Sequence, residues 1–72
     1  MDVSQFEIDY NSGNDGLYRA NYNLAVSIRD LKLWDAGIRP HRHWRLKHVK
    51  DYFGVTGNAK SILKQLNHIQ NG

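Results

Sequence analysis

Seventy-two residues without a single cysteine leave a chain few ways to hold itself together. A domain this short buries about 60% of the surface its unfolded chain exposes, and without thiols it has neither a disulfide staple nor a thiolate zinc site to compensate. Packing has to supply the stability, helped in one reading by a second copy of the chain. One domain spanning residues 1–72 is expected. The opening MDVSQFEIDY lacks the basic and apolar regions of a secretory leader, and no apolar run reaches the length of a membrane span. The expectation is a soluble, cytoplasmic protein with no membrane contact.

Alternation with period two is the dominant local pattern, and it predicts strands. Phe6, Ile8 and Tyr10 alternate with Gln5, Glu7 and Asp9; further on, Tyr18, Ala20, Tyr22, Leu24, Val26 and Ile28 alternate with Arg19, Asn21, Asn23, Ala25, Ser27 and Arg29. The intervening NSGNDG, residues 11–16, tolerates the positive φ of a hairpin loop. A β-hairpin over residues 1–26 is therefore expected, with Ile8 opposite Tyr18 so that the apolar side chains share one face. Ser27-x-x-Asp30 has capping-box spacing and predicts a short helix over about 28–36, ended by Gly37. The competing reading is one long helix from Tyr18 to Ala36 on Leu24, Ile28 and Leu31. Asn21, Asn23 and the β-branched and aromatic residues weigh against it.

Pro40 keeps residues 38–44 out of regular helix. Residues 45–53 then align Leu46, Val49 and Phe53 on one helical stripe, and Gly54 breaks it. Asn58 is placed to cap a last helix whose stripe is Ala59, Ile62, Leu63, Leu66 and Ile69. The expected fold is thus α+β: an N-terminal β-hairpin packed on three short helices within residues 27–72. LKHVKDYFGVTGNAKSILKQL, residues 46–66, resembles the helix-turn-helix of DNA-binding proteins, which joins two helices through a glycine turn such as Phe53-Gly54-Val55. The resemblance implies a recognition helix beginning near Asn58, with Asn58, Lys60, Ser61 and Lys64 facing DNA. Lys50, four residues before Gly54, and Lys60, six after it, depart from the apolar residues usual at those places.

Charge divides the chain sharply. Residues 1–38 carry six acids (Asp2, Glu7, Asp9, Asp15, Asp30, Asp35) against three bases, giving −3, whereas residues 39–72 carry seven bases against Asp51, giving +6. Such a basic half suits a polyanion or an acidic protein. RPHRHWRLKHVK, residues 39–50, concentrates it: Arg39, Arg42 and Arg45 recur every third residue and, with Lys47, are candidates to fork onto phosphates. Trp44 has two readings, a stacking platform for an unpaired base and a core residue. His41, His43 and His48 do not form a standard zinc pattern and are interleaved with arginines, so no metal and no cofactor is expected. No phosphate loop, dinucleotide fingerprint or activated nucleophile appears, and enzyme activity is not expected.

These observations lead to a small, non-enzymatic nucleic-acid-binding protein, with DNA favoured over RNA. The expected contacts are Arg39, Arg42, Arg45, Lys47, Asn58, Lys60, Ser61 and Lys64. The alternative is a protein-interaction module, an adaptor or inhibitor that docks on an acidic protein or forms a homodimer. It would use the hairpin edge or a patch around Trp34 and Trp44.

Overall fold

A computed structural model describes residues 3–71, and every regular element among them is helical. In chain order these are α1 (Gln5–Tyr10), α2 (Asn14–Asp35), α3 (Leu46–Phe53) and α4 (Ala59–Asn71). The α+β expectation is overturned. Of the residues 1–26 assigned to a hairpin, 1 and 2 lie outside the described part, and 5–10 and 14–26 are helix. The pairing of Ile8 with Tyr18 falls with the hairpin, and so does any exposed strand edge.

The physical reason lies in two short spacings. Ser4 caps α1 by accepting the Glu7 amide on Oγ at 3.2 Å, and S-x-x-E is itself a helix-start pattern. Phe6 and Asp9, three apart, then face inward while Ile8 and Tyr10 stay exposed. In α2, Ala20, Leu24 and Ile28 are spaced by four, which satisfies a strand's period of two and also keeps to one helical face. Together with Leu31 they are buried, whereas Tyr18 and Tyr22 are exposed. A 22-residue helix satisfies its backbone groups internally, and burying one apolar stripe is what stabilises it. The Ser27-x-x-Asp30 box falls in the middle of α2 and starts nothing.

The end of α2 does follow the glycine. Gly37 takes φ +84°, its amide donates to the Trp34 carbonyl at 3.0 Å, and the Ile38 amide donates to the Leu33 carbonyl at 2.8 Å. This Schellman closure needs a left-handed residue at Gly37. At the other end of α2, Gly16 lets α1 come close: a Cβ there would collide with the Asp9 carbonyl oxygen and lie 2.8 Å from Ser12 Cβ.

The core gathers Phe6 from α1, Ala20, Leu24, Ile28 and Leu31 from α2, Trp44 from the loop, Val49 and Phe53 from α3, and Ile62 and Leu66 from α4. Phe6 meets Phe53 with ring centroids 5.0 Å apart. Asn58 caps α4, its Oδ1 accepting the Ser61 amide at 2.9 Å. Ile62 and Leu66 are fully buried, Leu63 and Ala59 partly so, and Ile69 is exposed. The helices pack as α1 on α2, α1 on α3 and α4 along α2. In consequence α3 and α4 do not form the tight pair that a helix-turn-helix requires, and residues 54–58 between them exceed its three- to four-residue turn. No described helix is long and apolar enough to cross a membrane.

Candidate nucleic-acid interface

Two acidic side chains are buried and paired, whereas most cations of the second half stay exposed. Asp9 is buried at the junction of α1, α2 and α3. The Tyr52 hydroxyl donates to its Oδ2 at 2.7 Å, and Gln5 Nε2 and Arg19 Nη1 donate to its Oδ1 at 3.1 and 3.3 Å. The Tyr52 hydrogen bond, helped by Gln5 and Arg19, holds the Asp9 carboxyl below the usual carboxylate range against the opposing effect of burial. Burial, with the neighbouring Asp9 charge, pushes the Tyr52 hydroxyl up. Asp30, also buried, is paired with Arg29 at 3.2 Å.

The cations of the second half mostly face water. Arg39 lies over Trp34, its Cζ 5.5 Å from the ring centroid. It also donates to the carbonyls of Arg42 and Trp44, both at 3.4 Å, so it ties down the loop between α2 and α3. Lys47 pairs with Asp51 at 2.8 Å along α3. Arg42, Arg45, Lys60 and Lys64 are exposed, and none is in an ion pair among the described residues. Beside Trp34 the end of α2, α3 and the start of α4 enclose a groove lined by Trp34, Asp35, Leu46, Lys50, Asn58 and Lys60, among others. Lys50 and Lys60 are both in the lining of this groove, and Arg39 lies over its tryptophan.

The chain matches no family model, no curated protein and no solved structure. Its own geometry is therefore the guide. Of the residues expected to contact a polyanion, Asn58 and Lys60 line the Trp34 groove, and Lys64 follows Lys60 by about one turn of α4. Asn58 is engaged as the helix cap, and Ser61 Oγ accepts from Gln65 at 3.3 Å; both side chains are thereby tied into α4. Arg42 and Arg45 sit on the exposed loop, apart from the residues that line the groove.

Trp44 is buried, with its ring 5.0 Å from that of Trp34. That removes it as a stacking platform and leaves no open double-tryptophan patch. His41 and His48 line a different shallow depression with Asp30 and Tyr52, and His43 is exposed. Sequence reasoning missed Lys50, which it registered only as a departure from the helix-turn-helix pattern four residues before Gly54. No local pattern marks Lys50 as a groove residue, because the groove is made by Trp34 and Asp35, distant in the chain.

Proposed function

We propose that this chain is a small, non-enzymatic nucleic-acid-binding protein that holds phosphates through the Trp34 groove and the exposed cations of the loop and α4. The observation that carries the reading is that Lys50 and Lys60 both line one groove beside Trp34, over whose ring the Arg39 guanidinium lies. Phosphate recognition needs several cations within reach of one backbone, and sequence-independent affinity comes from the counterions they displace. Arg42, Arg45 and Lys64 extend the positive surface, while Arg39 and Lys47 divide their hydrogen bonds between the protein and any ligand. With Asn58 and Ser61 occupied inside α4, the contacts favour phosphate over base edges. Duplex DNA, a regular array of phosphates, is the preferred ligand, and single-stranded DNA and RNA are comparison arms.

The test is a salt titration of binding to duplex DNA, single-stranded DNA and RNA. Affinity should fall log-linearly with salt, and Lys60→Ala or Arg42→Ala should each flatten the slope by about one unit while the protein stays folded. Absence of binding even at about 20 mM salt, where electrostatic attraction is scarcely screened, would overturn the reading and transfer the same cations to an acidic protein partner.

A further inference from the structure

The face of α2 opposite the core carries a repeat that, apart from the Arg29 pair with Asp30, neither the fold nor the basic groove uses. Asp15, Tyr22 and Arg29 are spaced by seven, and so are Tyr18, Ala25 and Lys32. The two series interleave by three and four residues, the spacing of a two-helix seam. All six residues are exposed. Tyr18 and Tyr22 are 73% and 58% accessible, and their rings lie nearly parallel, 6.3 Å apart with an interplanar angle of 17°. Tyr18 and Tyr22 are the two most exposed aromatic side chains among the large hydrophobics, and they sit together on one helix face.

We propose that this face is the contact between two copies of the chain, with the two α2 helices antiparallel. The occupant follows from the order of residues along the stripe. An antiparallel two-fold places residue i level with residue 47 − i of the second copy, which overlays nearly the whole of α2 on itself. Tyr22 then faces the second copy's Ala25, a large side chain against a small one. Tyr18 faces its Arg29, a guanidinium against an aromatic ring. Asp15 faces its Lys32, opposite charges at both ends of the seam. Each pairing occurs twice, as an isologous contact requires. A parallel arrangement instead sets Asp15 on Asp15, Arg29 on Arg29 and Lys32 on Lys32, stacking like charges at three levels. Arg29 is still 69% accessible in its side chain while bound to Asp30, so it serves both partners. This inference stands on α2 alone and is independent of the nucleic-acid reading.

The absence of cysteine makes the test clean. Sedimentation of the unmodified protein should show a monomer passing to a dimer as concentration rises from about 1 µM to about 1 mM, the weak end expected of a small interface. Tyr18→Glu with Tyr22→Glu should abolish the dimer while the circular dichroism of the helices is retained.

For orientation, Asp15→Cys and Lys32→Cys proteins are oxidised separately and mixed. Level residues cross-link, whereas each position is about 25 Å from its own copy across the two-fold. The mixture should give a covalent dimer and neither protein alone should. Cross-linking of Asp15→Cys with itself would overturn the antiparallel arrangement. A monomer at every concentration would overturn the proposal. So would a monomer whose binding to single-stranded oligonucleotides is weakened by the tyrosine substitutions, because that result gives the face to stacked bases.

Discussion

Gln5, Arg19 and Tyr52, from α1, α2 and α3, all donate to the Asp9 carboxylate, whereas Lys50 and Lys60 line the Trp34 groove, with Asp35 as the acid in its lining. A carboxylate taken out of water needs donors, since an unpaired buried charge is expensive. A lysine at a rim keeps its hydration and costs little to leave alone. The first arrangement is spent on the architecture. The second leaves charge available to something outside.

On that contrast, the largest losses of stability come from truncating the apolar core, not from removing an exposed cation. Leu66 is fully buried between α4 and α2, and Leu66→Ala should cost roughly 2–5 kcal/mol, a large share of what a small domain has. Leu63→Ala, at a partly buried site, should cost clearly less in the same thermal melts. Equal losses would mean the helix meets the core along a different line.

The Asp9 node itself gives a pH-dependent effect of intermediate size. Its folded pKa lies below the ordinary 3.8, so its contribution is present above that value and is lost as pH falls through the folded value. Tyr52→Phe removes the principal cause. The gap in melting temperature between the unmodified protein and the variant should be open at about pH 6 and narrow steadily in acid. On the alkaline side the sign reverses. The Tyr52 pKa is raised above 10.0, so the neutral hydroxyl's contribution is whole below that value and is lost as pH rises through the folded one. Tyr52→Phe should not show this loss. A gap that is constant from acid to alkali would show that Tyr52 is a packing residue and nothing more.

The smallest effect separates a settled cation from a free one. Lys47 is exposed and already bridged to Asp51, and Lys47→Ala should change stability by less than about 0.5 kcal/mol. It should also flatten the salt dependence of nucleic-acid binding less than Lys60→Ala does. A Lys47 slope as steep in its effect as that of Lys60 would show that the Asp51 pair opens readily when phosphate arrives.

The second half of the molecule was largely readable because its signals are local: Gly37 and Gly54 at helix ends, Asn58 as a cap, and apolar spacings of three and four. The first half was misread because even-numbered apolar positions from 18 to 28 contain Ala20, Leu24 and Ile28, a set common to strand and helix. The deciding signs were present. Ser4-Gln5-Phe6-Glu7 has the S-x-x-E spacing of a capping box and stands at a true helix start, whereas Ser27-x-x-Asp30 has the same spacing with Asp in place of Glu and lies inside α2. Tyr18 and Tyr22 read as core from their chemistry alone, and which side of α2 is covered depends on where α1 and α4 land. The candidate site was visible as a list of cations. That Lys50 joins Lys60, and that Arg39 is held by Trp34, depends on residues brought together from four segments of the chain.

The two tryptophans of the chain lie 5.0 Å apart, one buried and one half-buried beneath the Arg39 guanidinium. The indoles are therefore an intrinsic optical gauge. Their emission is governed by one small neighbourhood where loop, core and basic groove touch. A ligand that draws Arg39 off its ring changes the light from Trp34 while the helices stay intact, and unfolding separates the two rings and shifts both. Occupancy and integrity of the domain are written in two distinguishable spectral changes, without a label.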